Sequence, residues 1–214
     1  SLVERAWNRG LEFGRFKAVS DTLAHSIEAY AGMPDLFFTW VRRADKAVHF
    51  EFLDNSVRLG ERPRTVAFGD NTTLNVLDIK GLLDIERYRR VNVAATGADS
   101  LYPDRSWLAA ERNSGFLQRC VAGFETVNFA EQATGRIYLR LKGGRPVATE
   151  RELLRRAAAE PDGGAGLRAV VPGAFDETLP LFGRSEQLNG LTAGVPRSTL
   201  GQWGCTQRGE SECA

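Results

Sequence analysis

Asp78, Ile79 and Lys80 form an acid-x-lysine triplet at the end of the run 65-TVAFGDNTTLNVLDIKG-81. On an extended strand alternate residues share a face, so Asp78 and Lys80 project together. There the carboxylate can hold Mg²⁺, while the ammonium steadies developing charge or orients a water. A second carboxylate must come from the paired strand. Asp70 lies upstream, but it sits in the Gly69-Asp70-Asn71 turn, about 20 Å from Asp78 at roughly 3.3 Å per residue. A turn centred on Gly69-Asp70 sets Glu61 opposite Asp78, and one centred on Asp70-Asn71 sets it opposite Lys80. The candidate catalytic set is therefore Glu61, Asp78 and Lys80, with Glu61 and Asp78 as metal ligands. The plain alternative is a cross-strand Glu61–Lys80 ion pair contributing about 0.2–1 kcal/mol.

This arrangement resembles the active-site strand pair of the PD-(D/E)xK nucleases. The resemblance implies an Mg²⁺-dependent nuclease, acting as a toxin or defence effector, with Glu28 of an early helix as a further carboxylate. The two histidines carry less. His25 has Asp21 one turn before it, and His49 shares a strand face with Glu51. Metal sites and hydrolytic triads need more partners than that. No Walker, Rossmann, G-x-S-x-G or H-E-x-x-H pattern is present.

A second constellation lies on 136-RIYLRLK-142. Alternation sends Ile137, Leu139 and Leu141 inward and Arg136, Tyr138, Arg140 and Lys142 outward. A cationic strand face with an aromatic can grip phosphates and stack bases, and Arg43, Arg87, Arg89 and Arg90 would extend it. The same alternation also describes a solvated antiparallel strand. Net charge is +1, from 28 basic and 27 acidic residues, which argues against a dedicated nucleic-acid binder.

The spacing Cys205-Thr-Gln-Arg-Gly-Glu-Ser-Glu-Cys213 is similar to the tail of bacterial small-molecule sensor domains of the 4-vinyl-reductase type. It covers nine residues of the 214. With Cys120 it makes three cysteines, an odd number that favours reduced thiols and a cytoplasmic over a secreted location. Cys205 and Cys213 are close enough to form a disulfide in an oxidising compartment.

The elements that must position these residues follow from periodicity. A helix is expected over 20–31, stopped by Gly32 and Pro34. The aromatic-rich runs 35–42 and 46–53 read as a hairpin. Two strands follow in 65–80, then a helix near 81–90 and a strand at 91–95. Helical signal resumes after Pro103, and strands at 126–131 and 136–142 form another hairpin. A capping box from Thr149 to Glu152 opens a helix over 150–159. The run 161-PDGGAG-166 reads as a break before a strand at 167–171. The expected fold is α+β with a mainly antiparallel sheet, as one domain over 1–171 and an irregular extension over 172–214.

The 43% hydrophobic and 26% charged content is that of a soluble globular chain, and no apolar run is long enough to span a bilayer. Ser1 in place of Met suggests a processed chain or a fragment, and with the end at Ala214 it suggests a domain cut from a longer signalling protein. The leading expectation is a binding or interaction domain for a protein partner or small ligand. The alternatives are the nuclease and the sensor domain of a larger signalling protein.

Overall fold

The computed structural model describes residues 2–58, 60–102, 109–182 and 187–188. Within them lie six α-helices and six strands, the α+β class expected. Helices α1 (Leu2–Phe13) and α2 (Val19–Val41) lead into strands β1 (His49–Asp54), β2 (Arg64–Asp70) and β3 (Thr73–Val76). Helices α3 (Ile79–Tyr88) and α4 (Gly115–Gly123) cross to β4 (Thr126–Ala130), β5 (Ile137–Lys142) and β6 (Arg145–Thr149). Helices α5 (Arg151–Ala159) and α6 (Pro161–Val170) follow. The strands lie side by side in chain order. Every neighbouring pair is antiparallel except β3–β4. That parallel pair needs a long crossover, which α3 and α4 supply.

One sheet face packs on the helices. Leu74, Val127, Leu139 and Leu141 from it are wholly buried, as are Leu82, Leu83, Phe116 and Leu117 from α3 and α4. On the opposite face Asn75, Asn128 and Arg140 stand in cross-strand register. Asn128 Nδ2 donates to Asn75 Oδ1 at 2.9 Å, and Arg140 Nε donates to Asn128 Oδ1 at 2.8 Å.

Several expectations change in three dimensions. Residues 35–41, expected as a strand, continue α2 through Pro34. The helical period decides: Phe37, Phe38 and Val41 join the core while Leu36 and Trp40 face outward. The Phe37 ring lies 4.8 Å from Phe50, 4.9 Å from Phe52 and 6.2 Å from Phe124. Such packing outweighs the β-propensity of the run. Residues 91–95 are turn rather than strand, closed by Ala95 N donating to Asn92 O. The expected break at 161–166 and strand at 167–171 are together the helix α6. Its glycines serve close packing. A Cβ on Gly163 would fall 2.3 Å from the Ala157 carbonyl oxygen, and one on Gly166 2.6 Å from Ile79. The cap of α5 is Glu150 rather than Thr149, its carboxylate accepting from Glu152 N and Leu153 N.

The β2–β3 connection is built by its polar residues. The Asp70 carboxylate accepts from Thr72 N at 2.8 Å and Thr73 N at 2.9 Å. Asn71 Nδ2 donates to Val41 O at 2.8 Å, tying the end of α2 to the turn. A Cβ on Gly69 would lie 1.9 Å from the Thr73 carbonyl oxygen. Gly69→Ala must therefore distort the β2–β3 pairing. We expect it to lower stability by about 1–3 kcal/mol, read as a lowered urea midpoint.

Beyond α6, Pro172–Phe175 form a short 3-10 turn. Leu181 bridges Thr149, and Gln187 bridges Arg136. Cys205 and Cys213 lie outside the described residues. No helix among the described residues is long and apolar enough to cross a membrane.

Candidate ligand-binding cleft

The triplet does not stay on a strand. Leu77 N and Asp78 N both donate to Val66 O, which ends the β3 ladder at Val76. Asp78 becomes the N-cap of α3, and Lys80 sits in its first turn. The β2–β3 register pairs Gly69 with Leu74 and Ala67 with Val76, so the turn falls on Asn71-Thr72. Continuing that register sets Thr65, not Glu61, opposite Asp78. Glu61 lies exposed in the β1–β2 loop, where its carboxylate accepts from Arg58 N at 3.3 Å. Glu28 is exposed on α2. His25 is exposed too, its Nδ1 2.7 Å from the Asp21 carbonyl oxygen. No group of three His, Cys, Asp or Glu side chains among the described residues is placed to hold a metal ion.

The basic strand is also divided. Lys142 and Arg136 are exposed, and Arg140 is engaged by Asn128. The Phe182 ring lies 5.4 Å from the Arg140 guanidinium. Arg43 pairs with Asp45, Arg87 with Asp84 and Asp162, and Arg89 with Glu86. Tyr138 is buried at 5% exposure, not outward. The cause is a bulge: Phe129 pairs with Leu139 and Ala130 with Ile137, leaving Tyr138 as an extra residue. A bulge re-aims a side chain that simple alternation would send the other way.

Asp78, Lys80 and Tyr138 are brought to one cleft of about 490 Å³. It opens beyond the carboxyl ends of the parallel pair β3–β4, a position where open sheets commonly bind ligands. Its floor comes from Leu77 to Lys80, Ala130 and Glu131, and its wall from Leu153, Arg156 and Ala157 of α5. The α5–α6 turn, Glu160 to Gly163, closes the rim. A second recess of about 370 Å³ adjoins it through Lys80 and Asp162 and is lined by Tyr88 and Tyr102. The N-termini of α3 and α6 both border the cleft, and neither Asp78 nor Glu160 caps its own helix with its side chain.

Electrostatics divide the lining groups. Lys80 is hydrogen-bonded to Asp84. Arg156 pairs with Glu131 at 2.9 Å. Asp162 accepts from Arg87 at 2.6 and 2.9 Å, which holds its carboxyl below the usual range. The Tyr138 hydroxyl has no hydrogen-bond partner among the described residues. Burial first, and the Asp78 carboxylate second, push its pKa up, so it remains a neutral phenol. Cys120 is deeply buried and its thiol is also pushed up, which removes it as a nucleophile. The arrangement is therefore suited to holding a polar ligand by hydrogen bonds.

Sequence reasoning singled out Asp78 and Lys80, but as a strand-borne set with Glu61, and it missed Glu160 and the inward aim of Tyr138. The capping position of Glu160, just before Pro161, is a readable signal; the bulge has none. In comparisons with known proteins, the chain matches no protein family, no curated protein and no solved structure.

Proposed function

We propose that the chain is a binding domain that takes a small ligand in the cleft at the carboxyl ends of β3 and β4. The observation that carries this reading is the Tyr138 hydroxyl, in a side chain 95% buried by its 5% exposure, lining the cleft without a partner. The hydroxyl itself still reaches solvent through the cleft, so a ligand would replace water as its hydrogen-bond partner, a net gain of about 0.5–1.5 kcal/mol. The cleft volume of about 490 Å³ lies within the small-molecule range. A ligand cleft is also what the sensing reading requires. The exposed apolar side chains of α1, Trp7, Leu11 and Phe13, at 56–65% exposure, favour a protein partner as a second reading.

A thermal-shift screen with a chemically varied fragment set tests the cleft. A fragment present at about 100 times its Kd should stabilise the fold by about 2.7 kcal/mol. Ala157→Trp, which fills the cleft from α5, should abolish that shift. Hits that shift both proteins equally, or no hits at all, would sink the proposal. The same preparation should leave DNA and RNA intact in the presence of Mg²⁺. Cleavage that Lys80→Ala abolishes would restore the nuclease reading instead.

A further inference from the structure

The cleft's unmatched hydrogen-bonding groups specify what kind of ligand it takes, an inference that rests on the cleft being a ligand site. Of its ionisable side chains, Lys80, Arg156, Glu131 and Asp162 are already in ion pairs. Arg64, whose charge also reaches Asp78, is held by Asp54. The Asp78 and Glu160 carboxylates have no hydrogen-bond or ion-pair partner among the described residues. The Tyr138 hydroxyl has none either, and Tyr138, 5% exposed as a residue, lines the same cleft.

We infer that the cleft binds the primary ammonium group of an organic amine, seated between the Asp78 carboxylate and the Tyr138 hydroxyl, with Glu160 at the rim. An ammonium carries three N–H donors and no acceptor. The three unmatched groups supply three acceptors, two of them charged. A metal ion fits less well, because no three His, Cys, Asp or Glu side chains among the described residues are placed to hold one. An anion fits less well too. Both helix N-termini bordering the cleft already carry a carboxylate at the cap position, and both lining cations are paired. Leu77, Leu153 and Ala157 offer apolar surface to the carbon body of the amine.

The test is calorimetric titration of the full chain with phenethylamine, its neutral analogue 2-phenylethanol and its carboxylate analogue 3-phenylpropanoate. Phenethylamine should bind at least about tenfold more tightly than either analogue, as expected for a charge-assisted contact. Asp78→Asn should weaken it about tenfold, and Tyr138→Phe and Glu160→Gln severalfold each. Melting curves confirm that each variant is folded, and exposed Glu160 supplies a variant that leaves the core untouched. Equal binding of the alcohol, preference for the carboxylate, binding indifferent to Asp78→Asn and Glu160→Gln, or no binding of any probe would each overturn the inference. The two failures differ. If fragments still distinguish the wild type from Ala157→Trp, the ligand site stands and only the amine assignment falls.

Discussion

Phe116→Ala is expected to lower the free energy of unfolding by about 3–5 kcal/mol. Phe116, on α4, has no exposed surface. Its ring lies 5.9 Å from Phe37 and from Phe38 on α2, and 5.7 Å from Phe52 on β1. It therefore joins the first and second halves of the chain where helices meet the sheet. Truncation removes the transfer free energy of a buried ring and opens a cavity that three anchored rings cannot collapse into. The control is Leu36→Ala, at 60% exposure on the outer side of α2, which should change stability by no more than about 0.5 kcal/mol. Urea unfolding checks both, with an unchanged slope if only stability has moved.

The second large effect belongs to Arg87. Its guanidinium is 5% exposed and donates to Asp84 at 3.0 Å and to Asp162 at 2.6 and 2.9 Å. It thus ties α3 to the first turn of α6 beside the cleft. Arg87→Met keeps much of the apolar stem but leaves Asp162 without its ion-pair partner, while Asp84 keeps Lys80. Removing one partner of a buried pair costs about 3–5 kcal/mol. Asp162 keeps 28% of its side chain in water, which recovers part of that, so about 2–4 kcal/mol is expected.

The acid dependence has a definite sign. Arg87 holds the Asp162 carboxyl below its ordinary value in the folded protein. Its contribution is therefore complete above the ordinary carboxylate pKa of about 4, and is lost as pH falls through the lower folded value. The gap between wild type and Arg87→Met should be widest near neutrality and should narrow in that acid window. A gap that stays constant down to acid would show that Arg87 acts by packing alone.

Much of the architecture was legible because it is local. The alternation of Phe50 and Phe52, the hairpin around 133-ATG-135 and the apolar period of α3 each need only a few neighbouring residues. Asp70 was readable as a turn residue for the same reason, since its carboxylate is satisfied by Thr72 and Thr73. Asp78 and Lys80 were recognisable as chemistry-bearing residues by type, and both do line the cleft.

What these residues face was decided by contacts distant in sequence. Residues 35–41 became helix because Phe37 meets rings from β1 and α4. The glycines of α6 look like a break in one dimension, and become a surface for Ala157, Ala158 and Ile79 in three. The Asn71-Thr72 turn moved the register so that Thr65 stands where Glu61 was expected. A register is chosen by which side chains a whole strand buries, and no single pair of residues carries that information. The bulge at Tyr138 turned a tyrosine expected to face outward into a buried residue lining the cleft. By itself the sequence determined the fold class and marked Asp78 and Lys80 by residue type. Only tertiary packing decided that they line one cleft with Tyr138 and Glu160, because it set the end of β3, the bulge of β5 and the approach of α6.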